Sequence, residues 1–389
     1  MANDVEFKER INKVDDDFVK KLMEVGAENL LACFQCGTCT GICPWGDFRY
    51  FNSRRIIRQA LLGLIDPQSE NTWLCTSCKL CEELCPREVK ITTIMSALRN
   101  IALEDGRGIP VTVTNALDSL FEDGNPLMRP KQERTLWIKD LVVRTIKKGE
   151  SADVLFFVGC TASYDPRAQK IARALVKIFE HLKIDYAILG NVERDCGNCV
   201  KMLGEDMLYD MLKEEQGGLI NSLNIKQIVT TSPHSYNALL DYGLRDDIKI
   251  QHYTQFLHEK IQDGSLKFSK SYDKIVTYAD PCYLGRHNEI YDEPREVLQT
   301  IPGLRLVEME RNRRFALCCG GGAGRIWQET PIQERFANPR TEEALKTGAS
   351  VMATACYYCL LNYTDAIKTL DKEEEIEALD VAEIVAQTL

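Results

Sequence analysis

Residues 31–46 read LACFQCGTCTGICPWG, and residues 74–86 read LCTSCKLCEELCP. Both stretches carry the spacing C-x2-C-x2-C-x3-C followed by a proline. The cysteines are Cys33, Cys36, Cys39 and Cys43 in the first run, and Cys75, Cys78, Cys81 and Cys85 in the second. Thiols at such short, repeated intervals indicate ligands of metal rather than packing residues. The two runs therefore decide how the first part of the chain folds.

The chain as a whole has 389 residues, 16 cysteines and a formal net charge of −10. Its length predicts two or three domains, each with its own core. Nucleic acid and anionic membrane surfaces are poor partners for it, because both attract basic faces. We find no secretory signal and no apolar run of about 18 residues, so we expect a cytoplasmic protein that reaches a membrane only through a partner protein.

The cysteines fall into two groups, eight within 33–85 and eight within 160–359. The cytosol keeps thiols reduced, so metal ligands are expected rather than disulfides. The gap between the groups places a boundary, and we predict a ferredoxin domain at 1–110 followed by a connector at 111–150.

The two N-terminal runs resemble those of two-cluster bacterial ferredoxins, in which the fourth cysteine, before proline, reaches the neighbouring cluster. The resemblance implies two 4Fe-4S cubanes. One would be held by Cys33, Cys36, Cys39 and Cys85, and the other by Cys75, Cys78, Cys81 and Cys43. Zinc is the alternative, but it normally takes two C-x2-C pairs. The helical pattern of 48–74 is similar to the α-helical ferredoxin domain of the C-type subunits of heterodisulfide reductases and of succinate dehydrogenase iron–sulfur subunits.

The second half of the chain is an internal repeat. DVLFFVGC at 153–160 and IVTYADPC at 275–282 are apolar runs ending in a cysteine, a pattern typical of α/β units with parallel strands. The second copy carries Cys282, then Cys318 and Cys319 after 35 residues, then Cys356 and Cys359 after 36 more. The first copy keeps this spacing but has only Cys160 and Cys196, with Asp195, Ser232 and Ser235 at the other positions and an added Cys199. We predict the copies at 151–270 and 271–389, and a helix throughout 371–389.

The spacing of the second copy is similar to the cysteine-rich CCG domain of the B-type subunits of heterodisulfide reductases. A double ferredoxin followed by two CCG domains resembles the D-type subunits of the same family. This resemblance implies a noncubane 4Fe-4S cluster on Cys282, Cys318, Cys319, Cys356 and Cys359. Gly320, Gly321 and Gly322 would let the backbone approach it, and Cys318, Cys319 and His287 are the candidate catalytic residues.

Each of these residues also has a plainer interpretation. GGGAG at 320–324 could be a nucleotide loop, although the G-x-G-x-x-G context is missing. Cys318 and Cys319 could be buried free thiols or zinc ligands. His287 could be a packed histidine, and Tyr283, Tyr357 and Tyr358 could be core aromatics. The first copy is expected to hold no cluster, the alternative being an unusual site with Asp195, Ser232, Ser235 or His234 as further ligands.

The resemblance implies an oxidoreductase, the electron-transfer subunit of a heterodisulfide reductase-like complex. It would relay electrons between the two cubanes and the noncubane cluster, toward a flavin or another redox centre. Partners would be flavoprotein, ferredoxin-like, hydrogenase-like or acyl-CoA reductase subunits. The alternative is a catalytic disulfide or thiol oxidoreductase acting at the noncubane cluster with a membrane cytochrome b partner. Because the first copy is incomplete, the relay is favoured. A scaffold with purely structural clusters is the third possibility.

Overall fold

The computed structural model describes residues 14–389. In its first part, residues 14–123 contain helices and connecting turns but no strand. The α-helices are α1 (Asp16–Leu22), α2 (Thr38–Ile42), α3 (Ser53–Leu61), α4 (Glu70–Leu74), α5 (Leu80–Glu83), α6 (Ile91–Asp105) and α7 (Val111–Asp123). Short 3-10 turns at Glu28–Ala32 and Pro44–Asp47 connect some of them, and another lies at Lys131–Ile138.

Helix α3 shows how the sequence produces these elements. Asn52 caps its start by accepting a hydrogen bond from the backbone N–H of Arg55, as short polar side chains do at helix N-termini. Ile56, Ile57 and Ala60 recur at helical spacing and are buried. The helix therefore lies against the cysteine-bearing loops on one side and faces solvent on the other.

The first repeat alternates strands and helices in the order expected of an α/β unit. Its elements are β1 (Ser151–Phe157), α8 (Cys160–Tyr164), α9 (Gln169–His181), β2 (Tyr186–Ala187), α10 (Asn198–Met202), α11 (Asp206–Asn221), β3 (Asn224–Thr230), α12 (Pro233–Leu239), β4 (Lys249–His252) and α13 (Tyr253–Gln262).

The second repeat follows the same plan with shorter strands. Its elements are β5 (Ile275–Tyr278), α14 (Glu293–Thr300), β6 (Arg305–Val307), α15 (Ala337–Lys346), β7 (Val351–Thr354), α16 (Tyr357–Thr369), β8 (Glu377–Asp380) and α17 (Val381–Gln387).

Each repeat forms a four-stranded parallel sheet, with strand order β2-β1-β3-β4 in the first and β6-β5-β7-β8 in the second. The two orders are the same once the strands are counted within each repeat. This agreement confirms the predicted α/β repeat. In both sheets the two central strands end beside each other, where Phe157 pairs with Thr230 and Tyr278 pairs with Ala353. The loops after these strands therefore meet at one edge of each sheet.

The predicted helix over 371–389 is wrong in its first half, because Glu377–Asp380 forms strand β8. The side chain of Asp380 then caps α17 by accepting from Ala382 N. The acidic residues before the strand form a pattern typical of a solvated helix. The strand forms instead because it pairs with β7, whose residues lie about 25 positions earlier in the chain.

The two repeats share one hydrophobic core. Phe179 of α9 packs edge-on against Phe156 and Phe256, with ring centroids 5.4 and 5.5 Å away. The same buried cluster continues through Val276 and Leu298 of the second repeat. Because one core serves both copies, their facing loops are held at fixed positions.

The segment predicted as a connector contributes to the packing of the first repeat. Trp137 is part of the shared core, and Ile146 lies in a second core cluster behind the first sheet. Thr145 also forms an isolated parallel bridge with Ile188.

Arg99 of α6 joins the helical part to the first repeat. Its guanidinium, fully buried, donates to Thr72 O at 2.8 Å, Cys75 O at 2.5 Å and Met202 O at 2.8 Å. Beside it, Gly204 has φ +79° and lies so close to α6 that an added Cβ would come 2.5 Å from Ser96 O. The helical part and the first repeat are therefore in backbone contact.

This contact gives a first prediction. Gly204→Ala should lower the free energy of unfolding by about 3 kcal/mol, because the new methyl group meets helix backbone that cannot move aside. Gly243→Ala is the matched control, since Gly243 has φ +61° but no atom within 4 Å of its Cβ position. It should cost about 1 kcal/mol, from backbone strain alone. Thermal unfolding followed by circular dichroism compares the two, and equal losses would contradict the close contact.

Candidate metal centres

Four cysteines from both N-terminal runs surround one cavity. Cys33, Cys36 and Cys39 of the first run lie around it with Cys85 of the second, in a space of about 340 Å³. Two of the sulfurs accept hydrogen bonds, Cys33 Sγ from Gln35 Nε2 at 3.2 Å and Cys85 Sγ from Val89 N at 3.3 Å. Donors aimed at sulfur stabilise thiolates and tune the metal that they bind.

A second cavity, of about 510 Å³, contains the complementary set. Its cysteines are Cys43, Cys75, Cys78 and Cys81. Apolar residues close the walls, among them Trp45, Phe51, Ile56, Met95 and Phe336. Burial raises the pKa of both Cys43 and Cys81, since a desolvated thiolate without a metal is unfavourable. This cavity is drier than the first, where Cys36 is exposed.

Ile57 of α3 and Ile91 of α6 line both cavities. The two sets of cysteines are therefore separated by a single layer of aliphatic side chains. In each set, three cysteines come from one run and the fourth from the other, because the Cys-Pro end of each run turns away from its own loop.

The five cysteines of the second repeat also come together. Cys282 follows β5, Cys318 and Cys319 lie in the loop before α15, and Cys356 and Cys359 lie at the start of α16. All five are buried, and the sulfurs of Cys319 and Cys359 are 3.3 Å apart. Gly320, at φ +93°, turns the loop so that its N–H donates to Cys318 Sγ at 3.3 Å. A β-carbon there would strain this turn.

The thiols of this group influence one another strongly. Burial acts to raise the pKa of Cys356, but hydrogen bonds with Cys359 and His234 outweigh it and lower the pKa to about 6. Hydrogen bonds with Cys282, Cys319 and Cys78 raise the pKa of Cys318 well above its usual range. Buried thiols in mutual contact favour binding of a cationic centre that takes up several thiolates at once.

The second N-terminal run touches this group directly. Thr76 Oγ1 lies 3.7 Å from Cys318 Sγ, and a Cβ on Gly322 would come 2.3 Å from Thr76 O. The buried Arg286 donates to Cys78 O at 2.6 Å and to Ala316 O at 2.8 Å. The second and third sets of cysteines are therefore neighbours.

His287, a candidate catalytic residue from the sequence, contacts the second N-terminal run at this junction. Its Nε2 donates to Ser77 O at 2.9 Å, and its ring stacks on Tyr283 with centroids 3.9 Å apart. Burial lowers its pKa well below the usual range. The geometry is that of the packed, hydrogen-bonded histidine left open as the alternative.

In the first repeat, charged side chains occupy the corresponding position. Arg134, 2% exposed, lies 3.4 Å from Cys160 Sγ through Nη1 and donates to Glu193 Oε1 at 2.8 Å through Nη2. Glu193 in turn accepts from Gly159 N at 2.8 Å. Asp195 accepts from Gly197 N, which is local to its own loop. No motif marks Arg134 in the sequence, since it lies 26 residues before Cys160.

His234 of the first repeat faces the second repeat. Its ring lies against those of Tyr283 and Tyr358, with centroids 4.1 and 4.8 Å away. Asn198 Nδ2 donates to His234 Nδ1 at 3.0 Å, and Asn198 Oδ1 accepts from Asn237 at 2.9 Å. Nδ1 is thereby fixed as the acceptor, which leaves the proton on Nε2. The sequence raised His234 as a ligand of the first repeat, whereas the structure turns it to Cys356.

These arrangements suit clusters better than single ions. No three His, Cys, Asp or Glu side chains within residues 14–389 adopt the arrangement that one metal ion requires. In the helical part the cysteines instead surround spaces of about 340 and 510 Å³ with largely apolar walls. Four thiolates around such a space fit an iron–sulfur cube, whereas zinc draws four sulfurs tightly together.

A further cavity, of about 620 Å³, opens beside the five cysteines. Cys319 and Gly320 form one side of it, and Trp45 of the helical part forms another.

No helix of the described chain, residues 14–389, is long and apolar enough to cross a bilayer.

Comparison with protein families gives two matches. The 4Fe-4S dicluster domain matches residues 29–89, and the cysteine-rich CCG domain matches residues 154–239 and 276–363. These ranges contain both N-terminal runs and the cysteine positions of both copies of the repeat, in the order predicted from the sequence. The chain therefore carries domains that hold iron–sulfur clusters.

Three curated relatives are informative. A probable iron–sulfur-binding oxidoreductase, FadF, of Bacillus subtilis is 36% identical over 82% of this chain and 47% of its own length. The EtfAB:quinone oxidoreductase of Syntrophomonas wolfei is 32% identical over 82% of this chain and 46% of its own. The D-type subunit of the dihydromethanophenazine:CoB–CoM heterodisulfide reductase of Methanosarcina barkeri is 28% identical over 95% of this chain and 96% of its own.

The chain thus spans about half the length of the first two relatives but nearly all of the third. Two of the three names describe oxidoreductases directly, and the third describes one subunit of a reductase. With a 4Fe-4S dicluster domain followed by two cysteine-rich domains, the chain is similar over nearly its whole length to the D-type subunit of heterodisulfide reductase.

Proposed function

We propose that this chain is the electron-transfer subunit of a heterodisulfide reductase-like redox complex, with two cubane 4Fe-4S clusters in an α-helical ferredoxin domain and one noncubane cluster in the second repeat. Each cluster would accept and release one electron at a time, with little change in the surrounding structure. The observation that carries the proposal is the contact between Thr76, in the second cysteine run, and Cys318 of the second repeat.

The cubane sites are supported by how the cavities divide the eight cysteines. Cys85 lies with the first three cysteines of the first run, and Cys43 with the first three of the second. This division of the cysteines supports the crossed ligation that the ferredoxin resemblance implied. Ile57 and Ile91 between the two cavities would keep water out of the gap and hold the two sites a short distance apart.

The assignment of one cluster to the repeats, rather than two, rests on Arg134. In the second repeat, five thiols converge after the strands, whereas in the first the guanidinium of Arg134 occupies the side of Cys160 and is neutralised by Glu193. A buried ion pair of this kind is costly to open. We therefore propose that Cys160, Cys196 and Cys199 bind no cluster.

Partners are proposed from the family and not from a contact in the structure. A flavoprotein, ferredoxin-like, hydrogenase-like or acyl-CoA reductase subunit would exchange electrons with the chain, and the name EtfAB:quinone oxidoreductase of one relative fits the flavoprotein. We place the chain in the cytoplasm, with any membrane contact made through a partner.

Iron content tests the number of clusters. Protein purified without oxygen should contain about twelve iron and twelve sulfide per chain, four of each for three clusters. Cys282→Ser should reduce both to about eight, because it removes a ligand of the second repeat. Cys160→Ser, at the matching position of the first repeat, should leave about twelve. About sixteen iron in the unmodified chain would show that the first repeat is loaded, and a colourless or zinc-loaded chain would overturn the function.

Pairs of substitutions test the crossed ligation. Cys33→Ser with Cys85→Ser should lose about four iron, as either change alone does, because both residues would hold the same cluster. Cys33→Ser with Cys43→Ser should lose about eight. If each run holds its own cluster, the two double variants exchange results. Chemical analysis of iron and electron paramagnetic resonance (EPR) of the reduced protein distinguish the two cases.

A second candidate function is favoured by one observation, the position of Cys319 on the open cavity. The chain could itself act as a disulfide or thiol oxidoreductase there, with a membrane cytochrome b partner.

For this candidate, adding 2-mercaptoethanol to the oxidised protein should produce a new EPR signal. The signal should be absent in Cys319→Ser and present in Cys160→Ser, since only the former changes the second repeat. If no signal appears in the fully loaded protein, the catalytic candidate is wrong and the electron-transfer function is unaffected.

A further inference from the structure

The cavity beside Cys319 lies between the helical part and the second repeat. Cys319 and Gly320 line one side, and Trp45, Ile326 and Phe336 provide apolar walls. Its space of about 620 Å³ includes an opening to solvent, and it combines apolar walls with a few polar groups, as small-molecule sites do.

Arg325 is the polar group that distinguishes this cavity. It is 8% exposed, and its guanidinium donates to the neutral side chains of Gln328 at 2.8 Å and Thr330 at 2.7 Å, both of which also line the cavity. No carboxylate within residues 14–389 forms an ion pair with it. A buried cation without a counter-charge is unfavourable, so an anion would be attracted to it.

The other charges around the cavity are largely satisfied. Arg335 pairs with Asp365, and Arg49 pairs with Glu334 at 2.9 Å. Glu329 is exposed at the rim. Among the described residues that line this cavity, Arg325 is therefore the buried cation that lacks a carboxylate in an ion pair.

Nearby positive charges reinforce this imbalance. Burial, followed by the charges of Arg99 and Arg49, lowers the pKa of Arg325 to about 10, although the more weakly acting charges of Glu70 and Glu334 oppose this shift. The side chain is still cationic at neutral pH, and its Cζ lies 5.6 Å from the ring centre of Trp45. A carboxylate would relieve the repulsion while contacting the aromatic wall.

The opposite approach to the five cysteines is closed. Between the repeats, the ring of His234 packs on Tyr283 and Tyr358, at 4.1 and 4.8 Å between centroids. Asn198 and Asn237 hold that ring in place from behind. A molecule that reaches Cys319 would thus come through the cavity rather than from between the repeats.

We propose that this cavity binds a small organic carboxylate, whose carboxylate group pairs with Arg325 and whose apolar body packs on Trp45, Ile326 and Phe336 next to Cys319. The inference rests on the proposed function, because it places the ligand beside the cluster site of the second repeat. It adds a binding site and a ligand class to that site.

Matched probes test the charge requirement. Isothermal titration calorimetry of the fully loaded protein should show 4-phenylbutyrate binding about tenfold or more tightly than its neutral analogue 4-phenylbutyramide, as expected for a hydrogen bond between charged groups. Arg325→Gln should remove this preference, and Arg325→Lys should restore part of it. The control is Arg335→Gln combined with Asp365→Asn, which removes a charge pair from the same cavity and should leave the preference intact.

Spectroscopy tests the location. Bound 4-phenylbutyrate should change the EPR signal that is missing in Cys282→Ser, because the ligand would lie against the second repeat. Equal binding of acid and amide to the unmodified protein would overturn the proposal, even if Arg325→Gln failed to fold. Binding of the acid without a change in that signal would also overturn it. A protein with about twelve iron that ignores the acid contradicts this inference alone, whereas a protein without iron contradicts the function.

Discussion

Two buried guanidinium groups donate hydrogen bonds to the backbone of the second cysteine run. The relative positions of the three sets of cysteines depend on these bonds. Arg99 donates to the carbonyls of Thr72 and Cys75, and Arg286 donates to that of Cys78. One arginine belongs to the helical part, and the other to the second repeat. Each carbonyl in this loop would otherwise be a buried acceptor without a donor. The loop is therefore fixed between two domains rather than carried on one of them, and its neighbour Thr76 meets Cys318.

The same arginines explain how an acidic chain accommodates so many thiolates. The net charge is −10, yet the cations nearest the buried sulfurs are themselves buried. Burial works to lower the pKa of Arg286, but the charges of Cys78, Cys282 and Cys318 more than offset it and raise the pKa above its usual value. Attraction between unlike charges is strong where water is excluded. In the first repeat, the buried Arg134 lies beside Cys160 and forms an ion pair with Glu193. A buried cation therefore also lies next to a cysteine of the repeat in which three of the five cysteine positions hold other residues.

The sequence predicted the features that depend on residues close together in the chain. Cysteine spacing identified the sets, and the apolar runs identified β1 and β5. Strand β8 was missed because its pairing with β7 outweighs an acidic pattern that suits a helix. Arg134 and Arg325 could not be found, since their importance comes from burial beside residues distant in the chain. His234 could be noted as a polar residue between two lost cysteine positions, Ser232 and Ser235, but the direction of its side chain depends on how the two repeats pack. The crossed division of the N-terminal cysteines was expected from resemblance, and the two cavities divide them in the same way.

Loss of ligands from the first repeat changes what the second can do. His234 and Tyr358 stand at matching positions of the two copies, and their rings contact each other across the interface. These packed rings occupy the interface between the repeats, so the proposed approach to the five cysteines is the cavity beside Cys319. Under the proposed function, chemistry at the second repeat would take place at one centre, approached from the cavity that Cys319 and Trp45 of the helical part both line. A single centre fed by two neighbouring clusters, as proposed, would suit stepwise one-electron transfer better than a concerted two-site cleavage.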